Sequence, residues 1–307
     1  MGILLGAGLV LAAAAGVVIS STVSLAKRYG LTSFTVGFLL LGLATSTTEL
    51  FVAIGAVVDG VPQLSAGNLL GGSILLLSFL MGISSVIAGS IKLDHGLSLR
   101  EIILSSAVVA APAFVLWDGT ATRIDGAFLL GMYLLHGFLL MKDEERLHAL
   151  VARKRKTRGV AYDLVMLVAG LAALAVAARA IVGSAGTLTA SLHIPTFVFG
   201  LLLLSLGTNL PELALAVQAS LQRKRGVAFA DFLGSSAANT LILGLLAIAT
   251  PFTIVPREKL YFSLMLLVGV SLYFVWALSS GRTITRKEGI GLLFFYALFL
   301  AYELSGG

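Results

Sequence analysis

Apolar runs long enough to cross a bilayer recur ten times along the chain, at 2–25, 33–57, 64–90, 99–117, 124–141, 161–182, 194–220, 227–250, 260–279 and 288–304. About 20 residues at a rise of ~1.5 Å cross the hydrocarbon layer. Most of the runs are apolar nearly all round, so periodicity does not separate helix from strand. Length does. Backbone polar groups in lipid must be satisfied internally, and runs this long suit helices rather than barrel strands of about ten residues. The pattern predicts an all-α polytopic membrane protein of ten transmembrane helices. One long charged connection, 142–160, contains KDEER and RKRKTR. It divides the chain into halves of five runs, 1–141 and 161–307, and reads as a solvated linker beside anionic lipid.

Composition agrees. Of 307 residues, 58% are hydrophobic and 12% charged, against about 25% charge in soluble domains. A single soluble domain, a disordered chain and a collagen-like chain are excluded. The net charge of +6 does not indicate nucleic acid, because the basic residues lie between the runs. Seventeen of the 21 Lys and Arg fall on one side, in the connections after runs one, three, five, seven and nine. Positive charge marks the cytoplasmic face. Both termini are therefore expected outside a plasma-membrane protein, with the 142–160 linker in the cytoplasm. The first run lacks a basic leading segment and reads as a permanent span rather than a cleaved signal. The chain has no Cys, which removes disulfides, thiolate metal sites and Cys nucleophiles. There is no Walker motif, glycine loop for nucleotides or hydrolase residue set. An enzyme is not expected, nor a resident cofactor.

The chain resembles itself at an offset of 163. Residues 32–74 and 195–237 match at 14 of 43 positions without a gap, including Phe34 with Phe197, Gly37 with Gly200, Thr45 with Thr208, Glu49 with Glu212, Gly71 with Gly234 and Ser73 with Ser236. Apolar matches alone would not exceed chance. Paired Thr and Glu inside apolar runs do. Five spans separate equivalent positions, and an odd number inverts the second copy. Two inverted five-helix repeats are expected, with repeat one at about 32–90 and repeat two at about 195–250. In such folds binding sits at the repeat interface near the midplane.

Glu49, Glu212 and Asp231 lie within spans, and a carboxylate there is costly unless paired, protonated or facing water. No Lys or Arg lies deep enough to neutralise the two glutamates; Arg179 sits near the end of run six. The inverted repeat brings Glu49 and Glu212 together across its axis, and two carboxylates match the charge of one divalent ion. Thr45 and Glu49 are four residues apart on one helical face, and Thr208 and Glu212 repeat the spacing. Pro211 should break helix seven and free the carbonyl of Gly207. Any opening at Ala44 rests on the repeat alone. Carbonyls, hydroxyls and carboxylates are hard ligands suited to Ca²⁺ or Na⁺. The absence of Cys and His from both motifs argues against softer metals. The next run of each copy adds Asn68 and Ser73, then Asp231, Ser235, Ser236 and Asn239. Each hydroxyl alone is as readily explained by helix packing.

These residues resemble the repeats of the cation/calcium exchanger superfamily, especially its sodium/calcium exchanger branch. The resemblance covers nearly the whole chain, and GTNLPEL at 207–213 is its most specific motif. It implies ten helices in two inverted halves, a central cation site on helices two, three, seven and eight, and alternating access by sliding of helices one and six. It makes Glu49 and Glu212 the principal Ca²⁺ carboxylates, shared with a Na⁺ site. Thr45, Ser46, Thr208 and Asn209 become side-chain or carbonyl ligands, and Ala44 and Gly207 carbonyl donors. Gly72 and Ser235 fall where the family often has a Na⁺-coordinating Ser. Asn68 and Asp231 match the polar position of its GNxxG motif, and Leu76 and Asn239 its late Asn or Asp. Thr48 stands where the family has Pro, Gly72 lacks the hydroxyl and Leu76 is apolar, so the first repeat offers fewer ligands.

The expected function is secondary antiport, exporting cytoplasmic Ca²⁺ against Na⁺ by alternating access. Its partners would be inorganic cations and the lipid bilayer, with the chain acting as a monomer. Exchange of H⁺ for Ca²⁺ or another divalent ion is the alternative, and a passive cation channel is disfavoured by the inverted repeats. His95, His136, His148 and His193 lie outside the motifs and read as packing or surface residues.

Overall fold

Helices make up nearly all the regular structure, as runs of this length in lipid require. The computed structural model describes residues 10, 13–14, 16–18, 20–22, 24–25, 36–92, 98–148, 159–189, 195–221, 225–279, 281 and 283–305. The described residues between 10 and 25 are helical. The second run is a π-helical stretch, Val36–Leu41, then α1 (Gly42–Thr45) and α2 (Thr47–Val58). The third is continuous from α3 (Pro62–Ile74) through a second π stretch, Leu75–Leu80, into α4 (Met81–Ala88). Then come α5 (Leu99–Val115), α6 (Arg123–His148) and α7 (Val160–Thr189). The seventh run comprises α8 (Thr196–Phe199), a π stretch Gly200–Leu204, α9 (Ser205–Thr208) and α10 (Leu210–Leu221). Helices α11 (Arg225–Ala249), α12 (Arg257–Ser279) and α13 (Arg286–Leu304) complete the chain. Helix α6 continues seven residues beyond the predicted end of its run, so the start of the charged linker is helical. Residues 149–158 lie outside the described residues.

Four helices are long and apolar enough to span a membrane alone: Pro62–Ala88, Arg123–Lys142, Gly226–Ala249 and Arg257–Ser279. Thr196–Thr208 and Leu210–Ala219 form a fifth candidate, bent by 42°. The molecule is thus an all-α polytopic membrane protein. Of the apolar window, 78% is buried in Pro62–Ala88 and in Gly226–Ala249, against 28% in Arg123–Lys142. The α3–α4 span and α11 therefore form the centre, and α6 the periphery. Phe51, Phe114, Phe128, Leu272 and Phe294 face outward, as hydrocarbon surroundings allow.

The central crossings are backbone to backbone. A Cβ on Gly71 would overlap the carbonyl oxygen of Leu201, and one on Gly234 that of Phe38. Both pairs are related by the 163-residue offset, and small residues permit such close approach. The same offset recurs at the bundle ends. Strand β1 (Ser90–Lys92) pairs antiparallel with β4 (Thr283–Thr285), with Ile91 opposite Ile284. Strand β2 (Thr120–Ala121) pairs antiparallel with β3 (Phe252–Thr253). Thr285 and Glu288 form a capping box that starts α13. Thr122 and Asp125, 163 residues earlier, make the same reciprocal bonds at the start of α6. Such a box satisfies two amides that a helix start leaves without partners.

The seventh run breaks beside Pro211, as expected, with a bend of 42°, and the second run breaks without a proline. The chain breaks in both, at Ser46 (φ −69°, ψ 9°) and at Asn209 (φ −89°, ψ 14°), again 163 apart. Both breaks precede the proline position. Each follows a π stretch whose carbonyls receive side-chain donors: Thr45 Oγ1 bonds Leu41 O at 3.1 Å, and Ser205 Oγ bonds Leu201 O at 2.6 Å. Hydroxyl partners and π stretches are common to both runs, and Pro211 adds to the break in the seventh alone.

Candidate functional site

The two breaks meet where α3 and α11 cross. Glu49 follows the first break by three residues and Glu212 follows the second by three. They are 1% and 0% exposed, and Asp231 on α11 is 0% exposed. The three carboxylates lie within electrostatic range of one another. Among the described residues, the side chains that reach them are hydroxyls. Thr48 donates to Glu49 Oε2 at 2.7 Å, and Thr45 lies 3.3 Å from Asp231 Oδ1.

Seven buried oxygen atoms of the predicted site residues accept no hydrogen bond or make none: Glu49 Oε1, both Glu212 oxygens, Asp231 Oδ2, Ser46 Oγ, Asn209 Oδ1 and Asn239 Oδ1. Buried polar atoms are almost always partnered, and an ionised carboxylate buried alone is costlier still. Seven together on contiguous elements form a cluster of buried oxygens that positive charge would satisfy. Hard oxygens in such number suit Na⁺ or Ca²⁺. Among the described residues, no three acidic or histidine side chains converge as a resident metal centre would require.

Contacts between the runs hold the cluster together. Thr208 Oγ1 donates to Asn68 Oδ1 at 3.0 Å, and Thr45 Oγ1 shares a 2.9 Å hydrogen bond with Ser235 Oγ. Thr45 and Thr208 each also come near the glutamate of the opposite run, Glu212 and Glu49 respectively. Asn209 Nδ2 donates to Ser205 O at 2.8 Å, which leaves its Oδ1 free. Asn239 Nδ2 donates to Leu69 O and Ser73 Oγ, both at 3.2 Å. The hydroxyls of Ser73 and Ser236 bond their own helices at Leu69 O and Phe232 O, at 3.0 and 2.8 Å. They serve packing in this conformation. Ala44 and Gly207 are half-buried beside the breaks, and the Ala44 carbonyl accepts from Thr47 Oγ1. Gly72 and Leu76 are both buried in the same crossing.

Thr48 escaped the sequence reading, which treated it only as a missing proline. Its hydroxyl reaches Thr45 O at 3.3 Å and Thr208 O at 3.2 Å as well as Glu49. A hydroxyl directly before an intramembrane carboxylate was the available signal. His136 is buried against Phe38, ring to ring at 5.2 Å, and lies 2.8 Å from Ser105 Oγ. It belongs to packing, as its distance from the motifs suggests. His95 and His193 lie outside the described residues, and so does the side chain of Arg179.

Comparison with known proteins follows the same geography. The sequence profile described as "Sodium/calcium exchanger protein" matches residues 1–142 and 162–304. The chain is 25% identical over 323 residues to the sodium/calcium exchanger MaX1 of Methanosarcina acetivorans, covering 92% of each chain. It is 27% identical over 297 residues to the inner membrane protein YrbG of Escherichia coli, covering 92% of this chain and 90% of that one. The solved structure of the sodium-calcium exchanger NCX_Mj soaked with 100 mM Na⁺ and 10 mM Sr²⁺ superposes with a TM-score of 0.83 at 24% identity, over 98% of this chain and 97% of that one. Matched along nearly its whole length on both sides of the charged linker, the chain belongs to the sodium/calcium exchanger protein family.

Proposed function

We propose that the chain is a secondary antiporter that exports Ca²⁺ from the cytoplasm in exchange for Na⁺, by alternating access at a chamber formed by this cluster. The observation that carries the reading is the pair of buried carboxylates, Glu49 and Glu212, with unpartnered oxygens and, among the described residues, no ion pair to a cationic side chain. Two such groups balance one divalent ion, and the same oxygens serve monovalent ions in turn. Cation binding removes the electrostatic penalty of the empty chamber and so permits the switch between its two openings. Thr45, Thr208, Ser46 and Asn209 are proposed as neutral ligands, with Ala44 and Gly207 as carbonyl donors once Thr47 releases the former. Ser235, Asn239, Asn68 and Asp231 complete the shell. The names of MaX1 and NCX_Mj support the choice of ions.

The proposed architecture is ten helices in two inverted five-helix halves. Contacts and caps repeated at an offset of 163 support it. Seventeen of 21 basic residues on one side support termini outside and the 142–160 linker inside. The first and sixth runs, proposed as the sliding pair, touch through Ser24 Oγ, which donates to Asp163 Oδ2 at 2.6 Å.

Reconstituted ⁴⁵Ca²⁺ flux tests the reading. Glu49→Gln and Glu212→Gln should abolish Na⁺-driven flux, yet fold as well as the parent without ions, since each removes a buried charge. Normal flux from either variant refutes it. Proton coupling is a second reading, favoured by Gly72 and Leu76, which leave the first half short of a hydroxyl and an amide. Flux driven by a pH gradient and not by Na⁺ selects it.

A further inference from the structure

Helix α11 carries Asp231 and Asn239, and two contacts hold it from behind. The first is a bare crossing with α6. A Cβ on Gly126 would meet Gly244 O at 2.5 Å, and one on Gly244 would meet Gly126 O at 2.8 Å. Such a crossing brings two backbones close. With no side chain between them it sets their distance and leaves rotation open. The second contact is a hydrogen bond. Thr240 Oγ1 donates to Val108 O of α5 at 3.0 Å, and both residues are buried. A hydroxyl within a helix often bonds the carbonyl four residues back, as those of Ser73 and Ser236 do. The Thr240 hydroxyl reaches another helix instead, to a carbonyl that has lost its own donor. Pro112 lies inside α5 and has no amide to give Val108 O one turn earlier. A main-chain carbonyl buried in lipid needs a donor from elsewhere. Helix α5 is itself held, since Ser105 Oγ lies 2.8 Å from His136 Nε2 of α6.

We infer that Thr240 is a positioning residue for the cation chamber. Its bond to the carbonyl that Pro112 leaves without an amide fixes the rotation of α11, and with it the direction in which Asp231 and Asn239 point. The inference rests on the antiport reading and adds to it a residue that touches no ion. Thr240 lies nine residues beyond Asp231, on the opposite side of the helix, so a bond there resists turning of the acidic face. It directly follows Asn239, whose Nδ2 donates to Leu69 O and Ser73 Oγ of α3, both at 3.2 Å. Two consecutive residues thus bond helices on different sides of α11, and a rotation would break both bonds together. The device exists in one half only. At the offset of 163 the equivalents of Thr240, Val108 and Pro112 are Leu77, Ser271 and Val275, with neither the hydroxyl donor nor the proline. There the chain passes through the π stretch Leu75–Leu80, whereas α11 is α-helical throughout the equivalent residues 238–243.

The test uses the purified full chain in detergent and two measurements, the unfolding temperature without ions and the midpoint of Ca²⁺ binding. Thr240→Val keeps the shape and removes the donor. It should lower the unfolding temperature and raise the Ca²⁺ midpoint about fivefold, the size of one lost hydrogen bond. Thr240→Ser keeps the donor and should keep the parent midpoint. Pro112→Ala gives Val108 O an amide from within α5 and so competes with Thr240 for the carbonyl. It should raise the midpoint in the same direction, and it carries the test if Thr240→Val does not fold. Because both changes act on one bond, the double variant should shift the midpoint no further than Thr240→Val alone. An unchanged Ca²⁺ midpoint in Thr240→Val, with a lower unfolding temperature, makes the bond structural only and overturns the positioning role. Additive shifts in the double variant overturn the part given to Pro112. A Thr240→Ser variant as weak as Thr240→Val overturns the part given to the hydroxyl. Na⁺-driven ⁴⁵Ca²⁺ flux by the parent separates the inference from the reading beneath it. A parent that exchanges Ca²⁺, beside a Thr240→Val variant that binds it equally well, refutes the inference alone. A parent that neither binds nor exchanges Ca²⁺ refutes the antiport reading and the inference with it.

Discussion

Gly234 lies directly on the backbone of Phe38, with no space for a side chain between them, and Gly71 lies in the same way on Leu201. Both contacts join α3 or α11 to a π stretch next to a break. They set the distance at which the halves cross, and therefore the width of the chamber. A methyl group at either position meets main chain rather than a movable side chain. Gly71→Ala and Gly234→Ala should each destabilise the protein by about 1–3 kcal/mol and lower the unfolding temperature in detergent. Gly55 and Gly131 have nothing within 4 Å of a built Cβ. Alanine at either should leave stability unchanged or raise it by up to ~1 kcal/mol, because glycine is the weaker helix former.

Thr48 joins the two breaks through a single hydroxyl that touches Glu49 and the Thr208 carbonyl. Thr48→Val keeps the shape and removes the donor. The expected outcome is a rise in the Ca²⁺ midpoint of about five- to tenfold, from the loss of roughly 1 kcal/mol of orientation on Glu49. Unfolding without ions should also become easier, by about 1–3 kcal/mol, because buried Glu49 Oε2 loses its hydroxyl donor. Calorimetric Ca²⁺ titration of the variant checks this, and an unchanged affinity contradicts it.

Glu49, Glu212 and Asp231 were legible in the sequence because ionisable groups within apolar runs have few benign explanations. Their meeting was legible because Glu49 and Glu212 recur at the same offset as the Thr and Gly positions around them. The break at Ser46 was not, because no proline or other general helix breaker stands beside it, only a π stretch and hydroxyl partners. The reach of the repeat into the fifth runs was legible but lay outside the compared window. Thr120, Thr122, Arg123 and Gly126 recur as Thr283, Thr285, Arg286 and Gly289, and the structure shows a reason for most of them: the threonines build the strand pairs and caps at the bundle ends, and the glycines lie against the backbone of neighbouring helices at Gly244 and Gly82. The difference between Gly72 and Ser235 could be seen in the sequence, but not its consequence, since only the folded chain places the amides of Asn209 and Asn239 in the vacated space.

Ser24, in the described helical part of the first run, donates to Asp163 of α7. Asp163 is 1% exposed. It lies in the first turn of α7, where a negative charge is favourable, but burial leaves it dependent on the serine hydroxyl. Ser24→Ala should cost about 1–3 kcal/mol, seen as a lower unfolding temperature. Ser24→Thr should restore it. If the two helices slide as one body, Ser24→Ala should also slow exchange more than it weakens equilibrium Ca²⁺ binding, which flux and binding measured on one preparation can separate.

The turn after α5 gives a pH dependence with a definite sign. The Thr120 amide donates to Asp118 Oδ1 at 2.8 Å and the Thr120 hydroxyl at 2.8 Å. These two bonds, the amide first, hold the Asp118 carboxyl below its usual range, with the positive charge of Arg257 adding to them. A carboxyl depressed in the folded state contributes stability above the ordinary carboxylate range, and that contribution is lost as pH falls through its lowered value. The turn leads into β2, whose partner strand β3 is followed by the amide of Ile254 donating to Gly119 O at 2.9 Å. Acid should therefore loosen this end of the bundle. Amide exchange over residues 116–122, corrected for intrinsic rate, should be faster at pH 3 than at pH 6. Asp118→Asn, which cannot titrate, should abolish the difference, and a difference that persists in the variant would assign the effect to another group.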